Sequence, residues 1–386
     1  MDSERVFELI TRNTEEVLTP EDLKLYIETG LKLKHYIGFE ISGKVHLGTG
    51  IITTSKVVDL IKAGVDVSIF LADWHTWINE KLGGDREVII KVAEGYFKES
   101  LIAGIKCNGG DPKKVKFVLA SDIYRSDDKY WATVIDVSKN CTLSRIMRSI
   151  TIMGRKEGSA VDFAKLIYPP MQVADIFFQG INLAHAGMDQ RKAHVIAREV
   201  ALKLKVSPLL DQKGNKIKPV ALHTPLLAGL CKPPVWPIPK DKVKEVLSEL
   251  KMSKSKPDSC IFIHDSPDEI KRKLSNAFCC AGEVDYNPVL DWAKNLIFSK
   301  EHEILEVERP AKYGGNIVYS DYDTLKQDFA SGKLHPLDLK NAVAEKIIDM
   351  LEPARKHFKK PKHAKMLKEI EELTGGYNYG KKAKEI

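Results

Sequence analysis

Two textures alternate along the first two-thirds of the chain. Short apolar or β-branched runs over 36–39, 65–73 (VDVSIFLAD), 115–119 and 181–187 predict strands, and the near-continuous run over 65–73 predicts one buried on both faces. Between them, apolar residues return every three or four positions over about 50–63, 85–104 and 195–204, which predicts helices. Segment 122–155 is mixed and reads as helical, with cations at Arg145, Arg148 and Arg155. Gly64 and Gly104 stand where helices should stop. Strand, helix, strand in succession predicts right-handed βαβ units, a parallel sheet and ligands at the carboxyl ends of its strands. Residues 1–34 read as helical, with a break at Thr19-Pro20, Thr19 as cap and Pro20 in first position. Residues 209–220, with Gly214 and Asn215, form a hairpin-like excursion. Pro233, Pro234, Pro237 and Pro239 mark a connector, and 240–250 a short charged helix.

Past Cys260 the strand texture stops. Helices are expected at about 267–280, 288–299, 321–330, 336–351 and 361–373, with no strand between them. The first opens on a capping box, Ser266-Pro267-Asp268-Glu269. The expected class is therefore α/β: a domain with a Rossmann-type parallel sheet over 1–222 with a helical insert at about 122–160, a connector over 223–262, and a mostly α-helical domain over 263–386.

Composition narrows the class only a little. The 386 residues are 43% hydrophobic and 29% charged, as in ordinary globular proteins. A net charge of +7 permits a polyanionic partner without requiring one. The six cysteines lack metal-binding spacing, and Cys279-Cys280 are too close for an easy disulfide. Reduced, mostly buried thiols are expected. The opening Met1-Asp2-Ser3-Glu4-Arg5 is polar, and no run of about 18 apolar residues occurs, so a cytoplasmic protein without a membrane span is expected.

The candidate chemistry lies in three places. Segment 36–50, YIGFEISGKVHLGTG, reads as strand, glycine turn and helix start, a junction that aims backbone N–H groups at an anion. It has neither the P-loop nor the GxGxxG spacing, and such a junction by itself is more often a plain turn than a nucleotide site. Lys251-Met252-Ser253-Lys254-Ser255 is a cationic hydroxyl-bearing loop of a kind that also occurs on ordinary surfaces. In the helix after Leu166-Ile167, residues Tyr168, Gln172 and Asp175 fall at i, i+4 and i+7, a polar stripe in apolar surroundings. Either a capping network or a ligand pocket would satisfy it. Met188-Asp189-Gln190-Arg191-Lys192 marks a further strand end meeting a helix start. His75 either lines a pocket or pairs with Asp73, and Trp74 and Trp77 are expected in packing.

HLGT and KMSKS resemble the two signatures of class I aminoacyl-tRNA synthetases, HIGH at three of four positions with Leu47 counted as equivalent to isoleucine, and KMSKS at five of five. With TRNTEEV, LADWH, IYPPMQVADI, GMDQRKAH and HPLDLKNAVAE, the chain resembles the archaeal and eukaryal-type tyrosyl-tRNA synthetases over residues 1 to about 355. The resemblance implies activation of L-tyrosine by ATP to tyrosyl-adenylate, then transfer to the terminal adenosine of tRNA(Tyr). Tyr36 and Asp175 would hold the substrate hydroxyl, and Tyr168, Gln172 and Gln190 its ammonium group. Ser42, Gly43, His46, Gly48, Thr49, Ser253 and Lys254 would bind ATP, with His46, Lys251 and Lys254 in catalytic positions. Mg²⁺ would arrive with ATP, and no resident metal is expected. Arg191 and Lys192, and more weakly Arg148, would meet the acceptor end of tRNA. His335 and Asp338 would meet the anticodon, although Asp338 equally suits the first turn of a helix. A homodimer is implied by the resemblance alone. Thr49 departs from the family, which usually carries a second histidine there. The rivals are a tryptophan-tRNA ligase, which needs no hydroxyl partner, and an RNA-binding protein that reuses the fold without aminoacylation.

Overall fold

The structure is a computed structural model that describes residues 2–155, 162–242, 246, 250, 252, 254 and 256–375. It divides into two compact units. The first comprises Met1–Gly43, Ser55–Ile102 and Gly109–Pro225, and the second Lys44–Thr54, Ala103–Asn108 and Leu226–Ile386.

The first unit is built on a six-stranded sheet. Its strands are β1 (Glu16–Leu18), β2 (Lys34–Phe39), β3 (Asp66–Leu71), β4 (Val115–Leu119), β5 (Leu183–Gly187) and β6 (Val220–Thr224), in the order β1-β6-β5-β2-β3-β4. All neighbours are parallel except the edge strand β1, which runs antiparallel to β6. Helices α1 (Ser3–Thr11), α2 (Pro20–Glu28), α3 (Thr53–Lys62), α4 (Asp73–Ile78), α5 (Arg86–Val92) and α6 (Lys98–Cys107) alternate with the early strands. Beyond β4 come α7 (Ala120–Ser126), α8 (Lys129–Lys139), α9 (Leu143–Ser149), α10 (Phe163–Phe178) and α11 (Arg191–Val200). β5 and β6 are buried almost throughout, as expected of inner parallel strands. Strand order leaves the carboxyl ends of β2, β3, β4 and β5 side by side. Helices α4 and α7 and the turn before α11 start from those ends.

Several expectations need correction. The stretch read as wholly helical over 1–34 contains β1, whose Glu16 pairs with His223. Three residues are too few to carry a period. Pro20 does open α2, but Thr19 takes a left-handed backbone (φ 60°), and its hydroxyl donates to Leu18 O instead of capping. Gly64 ends α3 at φ 76°, as expected. Gly104 does not end α6, which runs on to Cys107. It is needed for close approach: a Cβ there would lie 1.9 Å from the carbonyl oxygen of Gly50.

The second unit is mainly helical, with helices at Pro267–Ser275, Pro288–Trp292, Tyr322–Ala330, Pro336–Met350, Glu352–Phe358 and Pro361–Gly375. Ser266 caps the first of these as its sequence implies. The unit also holds an unforeseen hairpin, Leu305–Val307 against Ile317–Tyr319. Leu305 and Val307 face inward and Glu306 outward, an alternation too short to stand out. Most of the charged helix expected over 240–250 lies outside the described residues.

Candidate active site

Helix α10 carries the polar stripe into the first unit. Asp162 caps its start, and Pro169 and Pro170 sit inside it, removing two N–H donors from the ladder. Tyr168 and Asp175 are buried at 5% and 2% exposure. Asp175 Oδ1 accepts from Tyr124 Oη at 2.8 Å and Tyr130 Oη at 3.1 Å. On its other side, His75 Nε2 lies 3.8 Å from Oδ2. Tyr36, from β2, belongs to the same buried cluster, with Phe70, Tyr124 and Tyr130. Burial pushes Asp175 up to about 8, against the two phenol donors that favour its charged form. Burial also pushes His75 down to about 3 and Tyr36 well above its ordinary value, so both stay neutral at working pH.

Further along α10, Gln172 Nε2 donates to Gln190 Oε1 at 3.2 Å, and Gln190 Nε2 donates to Ile152 O at 2.9 Å. Gln172 Oε1 is buried without a hydrogen-bond partner. Tyr168 Oη donates to Glu40 Oε1 at 2.7 Å, and Asn79 Nδ2 also donates to that carboxylate. An orphaned acceptor and a carboxylate both suit an ammonium group, which has three donors and no acceptor. The stripe therefore does not cap its own helix: its side chains meet Tyr124, Tyr130, Glu40 and Gln190 from other elements. His75 packs its ring edge-on against Tyr168 at 4.5 Å, while Asp73 accepts from Ser121 instead of pairing with His75. Trp74 and Trp77 pack on each other, with Arg86 over both rings.

Sequence reasoning missed Tyr124, Tyr130, Glu40 and Asn79. Glu40 alone had a signal, a carboxylate one residue past the carboxyl end of β2.

The glycine turn leaves β2 through Ser42 and Gly43, whose φ is 107°. In the second unit, residues 45–47 pair with the segment that follows the lysine loop. Leu47 N donates to Ile261 O at 3.0 Å, Ile263 N to Val45 O at 3.1 Å, and His46 bridges Phe262. Gly48 N and Thr49 N point at His46 Nδ1, at 3.1 and 3.4 Å. That leaves Nε2 as the nitrogen carrying the ring proton. Burial, and then the charge of Lys254, push His46 down to about 3. The two signature segments therefore come together at His46 and Lys254. Lys251 and Ser253 lie outside the described residues.

At the start of α11, Arg191 makes a fork with Glu16, whose carboxylate also meets His223. Lys192 Nζ donates to Arg148 O at 2.7 Å. His335 caps the helix Pro336–Met350 through Nδ1, and Asp338 sits in its first turn. Arg309 ties the hairpin loop to this segment, donating to Gly315 O and Lys333 O. Tyr313 on that loop is 63% exposed, with Lys312 Nζ 4.9 Å from its ring centroid.

The family described as tRNA synthetases class I (W and Y) matches residues 29–352. The tyrosine–tRNA ligase of Thermococcus kodakarensis is 62% identical over 373 residues, spanning 96% of this chain and 99% of that protein. That of Pyrococcus abyssi is 61% identical over 358 residues, 92% and 95% of the two chains. The tyrosyl-tRNA synthetase of Pyrococcus horikoshii, solved with L-tyrosine, superposes with a TM-score of 0.93 at 59% identity, covering 96% of this chain and all of that one. A tryptophanyl-tRNA synthetase from Aeropyrum pernix shares 19% identity at a TM-score of 0.63, a likeness of fold alone. Family match, sequence identity over nearly the whole chain and structural likeness agree: the chain belongs to the class I aminoacyl-tRNA synthetases and, within them, to the tyrosine–tRNA ligases.

Proposed function

We propose that Asp175 and Tyr36 take the phenol of L-tyrosine, and that Gln172, Gln190 and Tyr168 take its ammonium group, with Glu40 beside them. The observation that carries this reading is the buried Asp175, whose Oδ1 is saturated by two phenols while Oδ2 accepts no hydrogen bond among the described residues. Such an acceptor rewards a hydroxyl and is left unpaired by phenylalanine, the discrimination that general principle assigns to tyrosine-selecting sites. The orphaned Gln172 Oε1 supports the ammonium assignment.

ATP is the co-substrate of the family. In this reading Ser42, Gly43, Gly48, Thr49 and Ser253 cradle it, and the proton on His46 Nε2 meets a phosphate oxygen. Lys251 and Lys254 close on the leaving pyrophosphate. The carboxylate oxygen of tyrosine bonds to the α-phosphorus as the bond to pyrophosphate breaks. The terminal adenosine's 2′- or 3′-hydroxyl then takes the tyrosyl group and AMP leaves. Positioning and charge carry these steps, and no side chain need act as nucleophile. Segment 42–54 holds no carboxylate, which suits a Mg²⁺ carried on the phosphates of the substrate.

For tRNA, Arg191 and Lys192 would reach the acceptor end. His335 and Asp338 would read an anticodon base, with Tyr313 offering an exposed ring for stacking. A homodimer is supported by exposed apolar side chains: Trp131 and Ile135, one turn apart on α8, and Leu143. A cytoplasmic location accords with the reaction, and no described helix is long and apolar enough to cross a membrane.

Pyrophosphate exchange with each aromatic amino acid in turn tests the reading. Exchange should follow tyrosine only, and Asp175→Ala should raise KM for tyrosine far more than KM for ATP. Equal effects on both would remove Asp175 from the pocket.

A further inference from the structure

We infer that Tyr124 and Tyr130 are positioning residues for tyrosine selection: as a stacked pair they occupy Oδ1 of Asp175 and leave Oδ2 as the single acceptor offered to the substrate's phenol. The inference rests on the assignment of Asp175 to the tyrosine pocket.

The geometry is specific. Tyr124 comes from α7 and Tyr130 from α8, and their rings stack at 3.9 Å with 19° between planes. Both hydroxyls end on the same carboxylate oxygen, at 2.8 and 3.1 Å. Both side chains are buried, and the pair is held by Trp74 against Tyr124 and Phe178 against Tyr130. Two donors on one oxygen fix the rotation of the carboxylate, so the other oxygen can point in only one direction.

The pair also governs charge. The groups facing Asp175 are Tyr124 from α7, Tyr130 from α8, Asp73 and His75 from α4, Tyr36 from β2, and Tyr168 on α10 itself. Asp73 and burial favour the neutral acid. Only the two phenols counteract them, and both remain protonated donors because burial and Asp175 hold their own ionisation well above its usual range. Without those hydroxyls Asp175 would be more often neutral and freer to rotate. Tyrosine would then lose its acceptor, while phenylalanine, which needs none, would lose little.

The test uses Tyr124→Phe, Tyr130→Phe and the double variant, assayed by pyrophosphate exchange with tyrosine and with phenylalanine from about pH 6.5 to about pH 9.5. Each single variant should raise KM for tyrosine about tenfold near neutral pH, the cost of one hydrogen bond to a charged group. KM for ATP should stay put. The pH at which KM for tyrosine levels off should move upward, so that high pH partly restores the variants. The preference for tyrosine over phenylalanine in kcat/KM should fall by about the same factor of ten. A KM profile with the wild-type midpoint would overturn the inference, as would equal losses toward tyrosine and ATP. Should the double variant unfold, the two single variants decide by the same criteria. Asp175→Asn is run alongside. If it spares tyrosine use, the pocket assignment itself fails. If it abolishes tyrosine use while Tyr124→Phe and Tyr130→Phe keep the wild-type profile, only the present inference falls.

Discussion

A carboxyl group raised to about 8 is mostly protonated at neutral pH, yet its proposed partner is a hydroxyl donor. A donor stabilises the carboxylate, so binding should lower the pKa of Asp175 and expel its proton. The sign is then determined. Tyrosine affinity should climb with pH up to about 8 and level off above it, with close to one proton released per tyrosine bound at pH near 7. Calorimetry in two buffers of different ionisation enthalpy measures that number, and Asp175→Asn should bring it to zero. His46 behaves in the opposite way. Its ring is pushed down to about 3, so it acts as a neutral donor throughout the working range. His46→Ala should slow pyrophosphate exchange by about 10²-fold with KM for tyrosine unchanged, the loss typical of one preorganised donor. The shape of the pH profile between about 5 and 8 should survive that substitution, since the ring does not titrate there.

At the scale of elements, the turn proposed to bind phosphate is held by backbone approach more than by side chains. Gly50 and Gly104 bring two backbone segments of the second unit together. A Cβ on Gly50 would meet Ile263 Cγ2 at 2.4 Å, and one on Gly104 would meet the Gly50 carbonyl at 1.9 Å. A rotated isoleucine relieves the first clash, but nothing short of a backbone shift relieves the second. Gly104→Ala should therefore cost about 3 kcal/mol, seen as a lowered Tm, and should raise KM for ATP because it displaces the turn. Gly64→Ala meets no neighbouring atom, and only its positive φ opposes it, a cost of about 1 kcal/mol. The start of the chain is fastened in a different way. Lys56, buried to 1%, donates to the carbonyls of Leu9, Ile10 and Arg12 at the end of α1. Arg12 in turn pairs with Asp59. The arginine of the TRNTEEV segment thus helps fasten the N-terminal helix.

Across the whole molecule, the two steps of the reaction can be separated by experiment. In the proposed reading, adenylate formation needs neither His335 nor Asp338, whereas charging depends on reading the tRNA. Asp338→Ala should leave pyrophosphate exchange at its wild-type rate while charging of tRNA(Tyr) transcripts falls about tenfold or more, the usual worth of one base contact. Transcripts altered at the anticodon should be insensitive to the substitution. The apolar side chains left exposed on α8 make a prediction about assembly. Ile135, 60% exposed, placed as aspartate (Ile135→Asp), should convert a dimer into a monomer in sedimentation equilibrium without disturbing the buried face of the same helix.

Local patterns were enough for much of this protein. Strand runs, helical periods, the capped start of Pro267–Ser275 and the positive-φ glycine after α3 depend on neighbours within a few residues, so the chain declares them directly. The stripe of Tyr168, Gln172 and Asp175 was legible for the same reason, because helical repetition puts it on one face. Tertiary structure decided what meets that stripe. Tyr124, Tyr130, Glu40 and Asn79 share no period with α10, and only the order of the strands brings α4, α7 and α8 to it. The three-residue strand β1 and the small hairpin exist only because a partner strand is there to complete their hydrogen bonds. The ionisation of Asp175 was likewise beyond the sequence: a carboxyl group's charge is set by what surrounds it in space, and those surroundings come from five separate segments of chain.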